Sequence, residues 1–239
     1  MKDVMILTGA GQIGMAIARR MGYGKKVVIG DKKKENAEKI SGIMKEAGFD
    51  TVAVEMDLSS RTSILNLIAE AQTYGPITML VNAAGVSPSQ SGHRMPVLTP
   101  TEDEQLACTP TEELLQLEIL QPENIRDTLH AYQMAKRCNE KRVMAESVKW
   151  GEKGARLNSI SPGIIVTPLA LDEFHGPRGD FYKNMFAKCP AGRPGTADEV
   201  ANVAELLMSD KGAFITGSDF LIDGGATASY FYGPLKPEQ

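Results

Sequence analysis

The sequence predicts a doubly wound α/β fold: one domain, residues 1–239, with a parallel sheet between two layers of helix. Three observations predict it. Short runs rich in Val, Ile and Leu alternate with helical patterns through the first 82 residues. These runs lack polar alternation, as strands buried on both faces do. A glycine-rich turn joins the first run to the first helical pattern, and the alternation resumes from residue 130.

Strands are expected at 3–9, 25–31, 51–57 and 78–85. Between them, 12–22, 33–48 and 61–75 carry apolar residues at three- and four-residue steps with glycine near their ends, which predicts helices. Further on, 130–154 reads as a long helix and 155–163 as a strand entering a Pro-Gly turn. Residues 196–210 read as a helix capped by Thr196 or Asp198, and 215–225 as a last strand. Residues 93–130 are rich in Thr, Pro and Glu and predict at most a short helix at 111–120.

Composition excludes several classes. The 239 residues are 42% apolar and 23% charged with net charge −4, which leaves no basic footprint for nucleic acid beyond "KKK" at 32–34. Cys108, Cys138 and Cys189 are odd in number and widely spaced, so neither a disulfide framework nor a zinc spacing is present. The chain opens straight into a strand and holds no 18-residue apolar run, so a cytoplasmic protein without membrane attachment is expected.

In "TGAGQIG", Gly9, Gly11 and Gly14 sit at a strand-turn-helix junction. Glycine there allows a tight turn, lets bare backbone approach a pyrophosphate and packs the helix close to the sheet, while the helix N-terminus offers N–H groups to phosphate. A purely structural turn is the alternative. Asp31 ends the second strand 22 residues after Gly9, where a carboxylate accepts both hydroxyls of an adenosine ribose. It would repel a 2′-phosphate, so NAD is expected over NADP; a helix-capping role is the alternative, and the Lys32 cation softens the preference. Asp57 and Leu58 in "MDLSS" suit an adenine edge, or an N-cap before "RTSI". The small residues of Asn82, Ala83, Ala84 and Gly85 let a flat cofactor lie against backbone.

Tyr132 and Lys136 stand four residues apart, on one helix face. A free phenol titrates near 10, so a tyrosine acting at neutral pH has to come down by about 3, roughly 4 kcal/mol. The Lys136 ammonium and an oxidised nicotinamide ring supply much of that. Such pairs also arise by chance on surface helices; this one follows a nucleotide-binding half. His93, His130 and His175 read as loop or cap residues, and no metal constellation is present.

Taken in order, "TGAGQIG", Asp31, "MDL", "NAAG", "YQMAK", "NSISPGIIVTP" and "ITGSDFLIDGG" resemble the short-chain dehydrogenase/reductase family over about residues 1–85 and 130–225. The resemblance implies a Rossmann-type fold, hydride transfer between a nicotinamide cofactor and an alcohol or carbonyl, and a homodimer or homotetramer. It implies Tyr132 as general acid/base and Lys136 as the residue that holds the nicotinamide ribose and lowers the tyrosine pKa. Pro162, Gly163, Ile165 and Thr167 would line the nicotinamide end, and Gly9, Gln12, Ile13 and Gly14 would sit under the pyrophosphate. The glycine loop is one residue shorter than the family's usual TGxxxGxG.

The family also carries, after "NAAG", a long helix with a relay asparagine and then a strand that delivers a serine. Neither is found in the 46 residues between Gly85 and Tyr132. "SQSG" matches the family's Ser-x-x-Gly, which makes Ser89 the candidate serine and Ser91 its neighbour. About 30 residues, one βα unit, are therefore expected to be missing near 86–91. A sheet stripped of an interior strand would lose more than a domain stable by about 5–15 kcal/mol can absorb, which favours omission over true deletion.

Residues 93–130 then read as an insertion lying lid-like over the active-site mouth. Its acidic run, Glu102, Asp103, Glu104, Glu112 and Glu113, reads as a solvated face, or as a lid that disfavours an anionic acyl carrier. Tyr230, Phe231 and Tyr232 predict either docking on the chain's own surface or a contact across a subunit interface. The expected function is an NAD(P)-dependent oxidoreductase acting on a secondary alcohol or ketone. The alternative is a non-catalytic nucleotide-binding sensor or scaffold.

Overall fold

The structure is a computed structural model that describes residues 2–85 and 97–236. In chain order its elements are β1 (Val4–Thr8), α1 (Gln12–Met21), β2 (Lys26–Asp31), α2 (Lys34–Glu46), β3 (Asp50–Glu55), α3 (Arg61–Tyr74) and β4 (Ile77–Asn82). They continue with α4 (Pro100–Cys108), α5 (Thr128–Gly151), β5 (Ser159–Pro162), α6 (Pro168–His175), α7 (Gly179–Ala187), α8 (Ala197–Met208), β6 (Asp219–Ile222) and α9 (Ala226–Tyr232). The chain forms two compact units, Met1–Val86 with Thr196–Asp210, and Ser87–Gly195 with Lys211–Gln239.

In the first unit a parallel sheet runs in the order β3-β2-β1-β4. The chain steps outward from β1 to β3 and then returns to the other side of β1. The strand order therefore reverses between β1 and β4, and in sheets of this kind ligands bind there, beyond the strands' carboxyl ends. Side chains alternate across the sheet. Val4, Ile6 and Val28 pack with Met56, Leu67 and Ala71 of the α3 layer, each large apolar side chain contributing about 1.5–3 kcal/mol. Met5, Leu7, Val27 and Ile29, on the opposite face, are also fully buried. The helix α8 packs on α1, and Arg20 of α1 donates to Glu205 of α8 at 3.0 Å. β4 is an edge strand, and its Leu80 is 53% exposed.

The second unit pairs β5 with β6 in parallel and carries the long helix α5. The segment before α5 departs from expectation. Instead of a short helix at 111–120 it forms the α-helix α4, followed by single 3-10 turns at Leu114–Gln116, Glu118–Leu120 and Pro122–Asn124. The reason is local chemistry. The Thr99 hydroxyl accepts from the Glu102 N–H at 3.2 Å, and the Glu102 carboxylate accepts from the Thr99 N–H at 2.7 Å. This capping box, with Pro100 at the first helical position, starts a helix before the expected one.

The insertion is bolted onto α5. Leu106 packs against Met134 and Cys138 in a small core that Leu114, Leu117 and Leu120 close. Arg137 holds Asp103 through Nε and Nη2, and Lys141 approaches the same carboxylate at 3.6 Å. Arg142 Nη1 donates to the Thr109 carbonyl at 2.6 Å, at the C-terminal end of α4. Of the acidic run, Asp103 is thus an anchor and Glu102 a cap, which corrects the solvated-face reading for these two.

Candidate active site

The glycine turn is built at the ends of β1 and β4. Gly9 has φ +88°, and a Cβ placed on it would lie 2.5 Å from the Ala84 nitrogen. A Cβ on Gly14 would lie 2.9 Å from the Gly9 carbonyl oxygen and from Leu7 Cδ1, and 3.1 Å from Ala83 Cβ. The glycine turn and the Asn82–Gly85 loop therefore touch through bare backbone. Asn82 fixes its own loop: Oδ1 accepts from the Thr8 hydroxyl at 2.8 Å and from the Ala84 N–H at 3.3 Å, while the Ala83 N–H donates to the Thr8 carbonyl at 2.8 Å.

Gly11 differs from its two neighbours in the motif. It is the N-cap of α1, no side chain caps it, and a Cβ there would meet nothing within 4 Å. Clear space thus stands over the start of α1 at Gly11, while Gly14 in the same first turn is buried against the sheet. Uncapped N–H groups, the positive end of a ten-residue helix and a bare approach fit a pyrophosphate. This is the observation on which a nicotinamide dinucleotide fits the residues present.

Asp31 is neither a simple helix cap nor idle. Its Oδ2 accepts from the Ala10 N–H at 2.9 Å and its Oδ1 from the Lys33 N–H at 2.9 Å, which ties the glycine turn to the start of α2. Asp57 does not cap α3, because Ser60 does, accepting from the Ser63 N–H. Instead Asp57 Oδ1 accepts from the Ser59 hydroxyl and N–H, and Oδ2 pairs with Lys32 Nζ at 2.9 Å. The Ser59 hydroxyl, the Lys32 ammonium and the Ser59 N–H hold the Asp57 carboxyl down at about 2. Leu58 beside it is 41% exposed.

In the second unit, Tyr132 and Lys136 share one face of α5, and Lys136 Nζ lies 5.3 Å from the centre of the Tyr132 ring. Met134 and Cys138 each lie two residues further on, about 200° round the helix. The insertion thus grips the face opposite the tyrosine, where a lid-like role had been expected. Asp127 caps α5 by accepting from the His130 N–H at 2.7 Å, and His130 Nδ1 accepts from the Arg126 N–H at 3.2 Å. His130 is a cap-region residue, as expected.

Pro162 ends β5, and Gly163 turns hard against the other strand's end: a Cβ there would lie 2.7 Å from Asp223 Cα. The Ile165 backbone bridges to Gly195, and Thr167 caps α6 by accepting from the Ala170 N–H at 3.2 Å. Asp223, which sequence reasoning passed over, supports this turn. Burial alone would push its carboxyl up, but hydrogen bonds from the Thr227 hydroxyl and from the Thr227 and Gly225 N–H groups outweigh it and hold it below the usual range. The acidic residue in "DGG" was the signal available.

Ser89, Ser91 and His93 lie outside the described residues. A cavity of about 370 Å³ in the second unit is lined by Cys189, Pro190 and Tyr232 among others and by none of the expected site residues. In the tail, α9 is held by the Ser229 hydroxyl donating to the Lys188 carbonyl at 2.6 Å. Tyr232 nevertheless remains 92% exposed. Among the described residues, no His, Cys, Asp and Glu group could hold a metal ion, and no helix is long and apolar enough to cross a membrane.

Comparisons with known proteins cover nearly the whole chain. The family model for short chain dehydrogenases matches residues 3–105, and one described as enoyl-(acyl carrier protein) reductase matches residues 107–227. The chain is 32% identical to the short-chain dehydrogenase/reductase bsc3 of Alternaria brassicicola, over 95% of this chain and 96% of that protein. It is 30% identical to 2,5-dichloro-2,5-cyclohexadiene-1,4-diol dehydrogenase LinX of Sphingobium indicum, over 94% of this chain and 95% of that one. Among solved structures it is similar to gox2181, with TM-score 0.74, 25% identity and coverage of 95% and 96%. L-sorbose reductase from Gluconobacter frateurii, solved with NADPH and L-sorbose, shares the fold at TM-score 0.69 and 18% identity over 95% and 97% of the two chains. The Alternaria alignment runs over 265 positions, whereas 95% of 239 residues is about 227, so about 38 of its positions hold no residue of this chain.

Proposed function

We propose that this chain, which belongs to the short-chain dehydrogenase/reductase family, interconverts a secondary alcohol and a ketone with NAD(H) as the preferred cofactor. The observation that carries the reading is the placement of Lys136 over the Tyr132 ring on one face of α5. A bound nicotinamide nucleotide would supply or accept the hydride. Tyr132 would give a proton to the carbonyl oxygen in reduction and take it from the hydroxyl in oxidation. Lys136, whose ammonium stands 5.3 Å from the centre of the Tyr132 ring, would hold the nicotinamide ribose and support the tyrosine as the proton moves. Ser89 would orient the substrate oxygen by hydrogen bonding.

The preference for NAD rests on Asp31, whose carboxylate stands beside the glycine turn and opposes a 2′-phosphate. Dehydrogenases of a cyclic diol and of a 7α-hydroxysteroid among the relatives fit an alcohol or ketone substrate. A homo-oligomer working in the cytoplasm completes the reading. Purified protein incubated with NADH and a broad panel of ketones, or NAD and the matching alcohols, tests it through the change in NADH absorbance. No turnover across the panel, with nucleotide still bound, would defeat it.

One observation favours a second reading, a nucleotide-binding sensor or scaffold without turnover. The positions missing against the Alternaria relative fit a lost helix and strand between the cofactor loop and the serine. The exposed Leu80 on edge strand β4 fits the same loss. In this reading the nucleotide half persists while the proton relay is incomplete.

A further inference from the structure

Asp31 ends β2, in register with Glu55 at the end of β3, and Lys32 and Asp57 follow close behind the two strand ends. The next residue, Lys32, has a side chain 75% exposed, yet its ammonium is engaged: Nζ lies 2.9 Å from Asp57 Oδ2. Asp57 is itself fixed, because its other oxygen accepts both the Ser59 N–H at 2.9 Å and the Ser59 hydroxyl at 2.7 Å. Backbone ties the two strand ends together, with the Met56 N–H donating to the Asp31 carbonyl at 2.9 Å. Asp57 thus holds the ammonium that follows Asp31 in the chain. Of the other lysines in the run, Lys34 pairs with Glu38 at 3.8 Å, and the Lys33 backbone N–H donates to Asp31.

We propose that Asp57 sets nucleotide selectivity through Lys32. By holding the ammonium, it withholds the cation next in sequence to Asp31 from a 2′-phosphate lodged beside that carboxylate. Asp57 acts here as a positioning residue, and the inference deepens the NAD(H) reading and rests on it. NADP differs from NAD at this spot by a dianion, so the state of Lys32 weighs on one nucleotide and not on the other. An exposed ion pair is worth at most about a five-fold effect, which fixes the size of shift to look for.

The test is fluorescence titration of NADH and NADPH against the full chain and three variants, Asp57→Asn, Lys32→Ala and the double substitution. The quantity read is the ratio of the NADPH to the NADH dissociation constant. Any contact Asp57 makes with the adenine is common to both nucleotides and cancels in that ratio. In Asp57→Asn the ratio is expected to fall about five-fold, and in the double variant to return to the wild-type value or above. Lys32→Ala alone should move it less than two-fold, because the ammonium is already withheld.

An unchanged ratio in Asp57→Asn, or a fall that persists without Lys32, overturns the proposal. So does a several-fold rise in Lys32→Ala, a variant that reports even if Asp57→Asn does not fold. Wild-type protein that binds neither nucleotide overturns the NAD(H) reading, and this inference with it. That outcome is distinct from NADH binding with the wrong ratio pattern.

Discussion

Gly9 and Ala84 approach so closely that a single methyl group on Gly9 would stand 2.5 Å from the Ala84 nitrogen. The contact joins the ends of β1 and β4 where the strand order reverses, so a side chain there is paid for twice, in strain and in collision. Gly9 holds φ +88°, and forcing another residue into that region costs about 1–2 kcal/mol before any clash. Gly9→Ala is expected to lower the melting temperature by 5 °C or more and to lose nucleotide binding. Gly11→Ala, with nothing within 4 Å of the new carbon, should melt within about 2 °C of wild type and lose affinity only. Calorimetry and nucleotide titration on the two variants separate folding from binding.

Asp103 anchors the insertion to α5 through Arg137. Removing one partner of a charged, mostly buried hydrogen-bonded pair costs about 1–3 kcal/mol. Asp103→Asn should therefore lower the melting temperature by several degrees. Because the grip lies on the face of α5 opposite Tyr132, nucleotide affinity should change less than two-fold.

Acid stability follows from the same carboxylates. Hydrogen bonding to Arg137 holds Asp103 below the usual carboxylate range, and hydrogen bonding to Lys26 and Lys2 does the same for Asp50. Asp223 is also lowered, and Asp57 is held at about 2. A group lowered in the folded state contributes its stability above its unfolded pKa, near 4, and loses it as pH falls through the folded value. Melting temperature should be nearly flat from pH 7 to about 5, fall between about 4 and 2, and fall less steeply there in Asp103→Asn. A decline already complete by pH 5 would contradict this.

The first half of the fold was legible because its strands are continuous apolar runs and its turns carry glycine where backbone must touch backbone, as at Gly9. Tyr132 and Lys136 were singled out by their spacing together with their place after the glycine-rich half, and they do share one face of α5. The helix α4 was not, although Thr99, Pro100 and Glu102 spelled out its start; the prolines and threonines around it read as loop. The helices α6, α7 and α9 lack long periodic runs, and Thr167 was read only as a pocket residue although it also caps α6. The Lys32–Asp57 pair could not be read at all, since it joins the ends of two strands through packing rather than sequence distance.

The expectation that a helix and strand are missing near 86–91 makes its own prediction. Inserting there the residues of the Alternaria relative that have no counterpart in this chain should cover Leu80, 53% exposed on edge strand β4, the full burial of such a side chain being worth at most about 1.5–3 kcal/mol. The melting temperature should rise by roughly 3–10 °C, and turnover should rise with it. A graft that melts no higher than the present chain would show that nothing is missing from the sheet.

The most direct test of the central claim is single-turnover reduction of a ketone by NADH, compared between the wild-type chain and Tyr132→Phe. Removal of one hydroxyl should cut the rate about 10²–10⁴-fold while the NADH dissociation constant changes less than three-fold. An equal rate in the two proteins would contradict the account, because the proton would then come from a group other than Tyr132.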